Sequence, residues 1–187
     1  MPRFALSIVA ALAASSALLA PCRAEDAESP IYKSWARHKV GTSVTLKTVN
    51  GSGPRAVTSL ETQTLKDATP EKVVLEILVT QTVDGITRQQ PAKEFVYKKK
   101  FPLLPGVKKE DIGKPSGRSE SGEETIKAAG MEFKAQWYIS KSQTEAGEAV
   151  SRTWMSDEVP GKLIKSIDEV AAAKSTSTTE LIEFKTP

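Results

Sequence analysis

One cysteine, one histidine and an aromatic content of 6% over 187 residues remove several kinds of protein before any motif is read. Cys22 lies in the N-terminal segment, and cleavage after Ala24 would leave a chain with no cysteine at all. That excludes a disulfide framework, which small exported domains often need. It also excludes a Cys–His nucleophile pair. A zinc site needs several His or Cys ligands, and His38 stands alone. It sits in Arg37-His38-Lys39, where flanking cations disfavour its protonation, and reads as a solvent-exposed residue at a helix end. No Gly-x-Ser-x-Gly elbow and no spaced acidic calcium loop occur. Nothing in the sequence implies a cofactor or a bound metal.

Strong charge of either sign is missing too. The whole chain carries 26 basic and 23 acidic residues. Without Arg3 and Arg23 the two nearly balance, so nothing calls for a nucleic acid partner. Beyond the N-terminus there is no apolar run of the ~20 residues that a membrane helix needs, so the mature chain has no transmembrane segment. Carboxylates do pair at Glu123-Glu124 and Asp157-Glu158. Neighbours in a strand point to opposite faces, and Asp157-Glu158 reads as part of a turn. A hydrolase working with two carboxylates distant in sequence stays open as the least favoured reading.

The N-terminus is informative. Met1-Pro2-Arg3 supplies a positive start, Phe4 to Ala20 is apolar apart from serines, and Pro21 breaks the run. Cys22-Arg23-Ala24 offers small residues for cleavage, so residues 1–24 read as a secretory signal peptide. Leu19-Ala20-Pro21-Cys22 raises lipoprotein anchoring at Cys22 as a rival, with Pro21 standing where that signal prefers a small residue. The expected location is the periplasm or the exterior.

Pro30 opens a short helical pattern in which Ile31 and Trp35 are four apart, as are Tyr32 and Ala36, and Gly41 marks its end. From Thr42 the texture is β. Val73 to Val83 is the most apolar strand, apolar on both faces, as suits the middle of a sheet or a place under a helix. Asp84-Gly85 predicts a type I′ hairpin, and Pro91 predicts an edge or a bulge. Lys98-Lys99-Lys100 with Lys108-Lys109 reads as an edge guarded by lysines, or as a patch for anionic lipid or cell-wall polymer. Residues 103–122 lose all periodicity and read as a long flexible loop.

The organising stretch is Glu123 to Ser166. Met131, Phe133, Ala135, Trp137 and Ile139 alternate with Glu132, Lys134, Gln136 and Tyr138, the period of a half-buried strand. A neighbouring strand ends in Trp154-Met155-Ser156-Asp157-Glu158-Val159-Pro160-Gly161. Ser166 to Ala173 reads either as helix, through a Ser166–Glu169 capping box, or as strand. Ile182 and Phe184 share a face of the last strand. The expectation is mainly β: a single curved antiparallel meander, half-barrel-like, of about nine strands with a short N-terminal helix. Residues 25–187 form one such domain.

Trp35 to Gly41-Thr42 before a β meander, with the late Trp154-x-Ser156-x-x-Val159-Pro160-Gly161 turn, resembles exported bacterial proteins of unknown function. More distantly it resembles the half-barrel of lipoprotein carriers. That resemblance implies a curved sheet holding acyl chains under covering helices, although this chain has fewer helices. The functional expectation is a non-catalytic exported protein that binds an apolar or lipid-like ligand or an envelope component. Trp35, Phe133, Trp137 and Trp154 would line one concave surface. The alternative is an interaction module whose core these residues simply fill. The sequence leaves the oligomeric state open.

Overall fold

The structure, a computed structural model, describes residues 26–51, 56–104, 106–145 and 147–187. The signal segment with Cys22, the Ser52-Gly53-Pro54 turn residues, Pro105 and Ala146 lie outside the described residues.

Strands dominate. They are β1 (Asp26–Glu28), β2 (Ser43–Asn50), β3 (Val57–Ala68), β4 (Lys72–Val83), β5 (Ile86–Gln89), β6 (Lys93–Lys98) and β7 (Lys100–Pro102). After a 3-10 turn at Lys109–Asp111 come β8 (Arg118–Ala128), β9 (Met131–Thr144), β10 (Gly147–Met155), β11 (Leu163–Val170) and β12 (Ser175–Lys185). One helix, α1, spans Pro30–Trp35.

Ten strands form one antiparallel sheet in the order β5-β4-β3-β2-β12-β11-β10-β9-β8, with β6 beside β5 on the same side of β4. Each half of the chain is therefore a meander, and the halves join where β12 pairs with β2. Nine pairings join the ten strands and none closes the sheet on itself among the described residues, so β5 and β6 form one edge and β8 the other. Three strands separate β8 from β12, which in a flat sheet means ~19 Å. Cα atoms of the two approach within 8 Å. The C-terminal half is rolled.

Local chemistry accounts for the joints. Asp84 and Gly85 both take positive φ, 50° and 77°, as a type I′ hairpin demands. Pro91 falls between β5 and β6, which divide one edge between them. The apolar β4 pairs with β3 on one side and with the edge strands on the other, and its Val73 and Leu75 join Tyr32 and Trp35 of α1 in one buried cluster, the covering-helix alternative of the two. The Ser166 segment is strand. β8 starts at Arg118, so the irregular connection ends five residues earlier than residue 122. The ordered strand is longer because Arg118 anchors it, donating to the Asp111 carboxylate and to the Pro115 carbonyl.

A helix of six residues is too short to persist alone. Ser29 caps it, its Oγ accepting from the Tyr32 N–H at 3.3 Å, and Pro30 occupies the first turn. Two clamps dock it. Tyr32 donates its hydroxyl to the Thr69 and Pro70 carbonyls at the β3–β4 turn. Ser34 Oγ accepts from Gly161 N at 3.1 Å. Trp35 is then 0% exposed, in one contiguous cluster with Val44, Leu65, Val73, Leu75, Val159, Ile164 and Leu181.

Candidate functional site: a mixed cleft over β8 to β10

Register separates the two faces of β9. Trp137 lies directly opposite Trp154 of β10 and opposite Gly122 of β8, while Phe133 faces Ile126. These side chains share one face. Gln136 faces Glu123 and Met155, and Lys134 faces Thr125, on the other.

The four aromatic residues singled out in the sequence are brought into one apolar cluster. Trp35, Phe133 and Trp154 are buried within it, and Trp137 packs against it half-buried. Trp137 and Trp154 hold Arg152 between them, its guanidinium carbon 5.0 Å and 4.7 Å from the two rings. Such stacking attracts because the ring faces are electron-rich. Glu124 completes the group, accepting from the Trp154 indole N–H and lying 3.7 Å from Arg152. Gly122 is required here, since a Cβ would sit 2.7 Å from the Trp137 ring. The arrangement is a packed, charge-capped ladder.

The opposite face of β8–β10 borders a cleft of about 830 Å³. Ile112, Gly113 and Lys114 of the long connection form one wall, and Ser156, Asp157, Glu158 and Lys162 of the β10–β11 turn another. Glu123, Lys134, Gln136, Tyr138 and Met155 lie between. A smaller cleft of about 310 Å³ adjoins it, sharing Ile112 and Lys162 and adding Lys33 and Lys109. In the sequence the even-numbered residues of β9 stand only as the polar complement of an apolar strand. Their signal was present in the alternation itself.

The turn that shapes the cleft is tightly built. Ser156 N donates to Lys162 O at 2.8 Å, and Lys162 N to Val159 O at 2.9 Å. Gly161 and Lys162 take φ of 76° and 67°, which is strained for lysine. Lys162 Nζ reaches Asp157 Oδ1 at 2.8 Å. Hydrogen bonding from Lys162 holds the Asp157 carboxyl below its ordinary range, against some desolvation, with Arg37 and Lys33 adding to the pull. Tyr138 donates to Gln136, and burial raises its phenol above the usual value.

Both carboxylate pairs border this cleft. An acid–base dyad needs one carboxyl held protonated. Asp157 is pushed the other way, and Glu124 is committed to Trp154 and Arg152. His38 is half-buried rather than exposed, its ring edge-on to Phe184 at 6.1 Å between centroids. Burial first, and Arg37 second, lower its pKa. Among the described residues no group of three or more His, Cys, Asp or Glu side chains could hold a metal ion, and no helix is long and apolar enough to cross a membrane.

No protein-family model matches the sequence, and no curated protein matches it. Solved structures of similar shape include a protein from Bacteroides fragilis described as exported, with a YmcC-like fold. It shares 12% identity and a TM-score of 0.44 over 79% of this chain and 97% of that one. A protein of Parabacteroides distasonis described as a lipoprotein has 11% identity and a TM-score of 0.42, over 79% and 96%. The lipoprotein LppX of Mycobacterium tuberculosis has 8% identity and a TM-score of 0.37, over 79% and 88%. One is described as exported and two as lipoproteins, and no residue role passes from them to this chain.

Proposed function

We propose that this chain is an exported, non-catalytic binding module whose ligand is a small amphiphile, held in the cleft over β8–β10. The observation that carries the reading is the cleft's mixed lining. Ile112, Met155 and the Tyr138 ring offer apolar surface, while Lys114, Lys134 and Lys162 alternate with Glu123, Asp157 and Glu158 around it. A purely apolar ligand would desolvate these charges without pairing them. A zwitterionic head attached to a short apolar chain satisfies both. Trp35, Phe133, Trp137 and Trp154 act as the frame that fixes β9 and the 156–162 turn.

A second reading has its own observation. Trp35, Phe133 and Trp154 are 0%, 4% and 6% exposed, which favours an interaction module with a filled core and no ligand. Calorimetric titration with a lysophosphatidylcholine below its micellar concentration, and with a fatty acid, separates the two. The amphiphile reading expects the zwitterion to bind more tightly than the fatty acid, and Lys134→Glu to weaken it. Binding of neither removes the amphiphile and leaves the filled module.

A further inference from the structure

Strand β6 occupies a free edge and sets like charges against its inner neighbour, although Lys66 of β3 lies 3.4 Å from Glu76. Its partner on the inner side is β4, where Glu94 stands opposite Glu76 and Lys98 opposite Lys72. Like charges directly opposite each other in an antiparallel pair are destabilising. On the outer side the described residues supply no strand. Phe95 and Val96 remain 41% and 57% exposed there, although an open edge with bulky apolar residues invites pairing with another chain.

We propose that β6 pairs antiparallel with β6 of a second copy, about a two-fold axis through Val96, so that two sheets become one. In that register Glu94 lies opposite the partner's Lys98, and Lys98 opposite the partner's Glu94. Phe95 lies opposite the partner's Tyr97, and Val96 opposite the partner's Val96. Every charge that faces its like on β4 gains its opposite on the far side. The register continues rows already built in each copy. Val74 and Val96 share one face, while Leu75 with Phe95 and Val73 with Tyr97 share the other. Shifting the axis to Phe95 or to the Phe95–Val96 bond loses the Glu–Lys pairs; the latter also sets Lys93 against the partner's Lys98.

The lysines around β6 fit this register. Lys99 is outside the ladder: its N–H donates to Glu71 O, its carbonyl accepts from Ser29 N, and its ammonium lies over the Tyr32 ring. The interface is five residues long, Glu94 to Lys98. Lysines at an edge discourage pairing with arbitrary strands and leave the matched one allowed. A two-fold interface contacts itself, so a single substitution changes both halves at once.

Sedimentation equilibrium on the purified protein over a range of concentrations tests this, with Glu94→Lys, Lys98→Glu and the double exchange. Each single reversal sets like charges across both halves of the interface and weakens dimerisation at least ~10-fold. The same reversal places an opposite charge beside Glu76 or Lys72, so the thermal midpoint measured at concentrations where parent and variant are both monomeric stays level or rises. That separates loss of the dimer from loss of the fold. The double exchange restores the dimer. A protein monomeric at every concentration overturns the proposal, and so does a dimer indifferent to the three variants. Monomers that capture a foreign extended peptide along β6 would also overturn it, assigning the edge to a different partner.

Discussion

Removing the Trp35 side chain tests how α1 is held. The indole is 0% exposed and sits on a six-residue helix with little stability of its own. Trp35→Ala leaves a cavity that neighbouring Leu65, Leu75 and Leu181 only partly fill, at a cost of about 3–5 kcal/mol. Against a typical total stability of ~5–15 kcal/mol this is a large fraction. The indole N–H adds a second element, because Nε1 is buried with no acceptor among the described residues. Trp35→Phe loses some packing but also removes a donor whose burial costs ~1–3 kcal/mol. The two contributions oppose, and the phenylalanine variant should lie within ~1 kcal/mol of the parent. Urea unfolding followed by circular dichroism reads both, provided the denaturant slope is unchanged. An alanine variant losing less than ~1 kcal/mol would refute the docking argument. A phenylalanine variant as damaged as the alanine one would show that the N–H is bonded.

Three further outcomes follow from particular contacts. Gly122→Ala places a Cβ 2.7 Å from the Trp137 ring; the ring swings off Arg152, tryptophan emission moves to the red, and stability falls by ~1–3 kcal/mol. Gly161→Ala meets only ordinary contacts with Trp35 and Gln63, 3.6 Å and 3.7 Å away, so its loss of ~1–2 kcal/mol in urea unfolding comes from the positive φ alone. His38 has a folded pKa below its ordinary 6.5. Its contribution to stability is therefore present above that value and lost as pH falls through and below it. His38→Gln should flatten the pH dependence of the thermal midpoint between about pH 5 and 7.

Alternation made β9 and its partner legible, because Phe133, Ala135 and Trp137 recur at the strand period. The Asp84-Gly85 hairpin and the Pro91 break were equally readable, each being a backbone constraint local to one or two residues. Long-range pairing was not. The joining of β12 to β2 sets the first strand of the sheet beside the last, which local pattern cannot report. The two apolar faces of β4 signal burial in mid-sheet or under a helix, and only the tertiary packing of Tyr32 and Trp35 on Val73 and Leu75 decides for the helix. Glu123 and Gln136 meet across a hairpin, but Ile112 and Lys162 reach the cleft from segments fifty residues apart. Arg118 gives no strand signal in the sequence, because its partners, Asp111 and Pro115, organise it through side-chain bonds instead of periodicity.

The proposed binding surface is the even-numbered face of β9, with the tryptophan face as its frame. Amide resonances followed by NMR during titration with lysophosphatidylcholine test it residue by residue. Binding in the cleft predicts shifts concentrated at Ile112 to Lys114, Lys134, Gln136, Tyr138 and Met155 to Lys162, with Phe95 to Tyr97 unmoved. Shifts centred instead on Arg152, Glu124 and Ile167, or no shifts at any concentration below the micellar one, would contradict it.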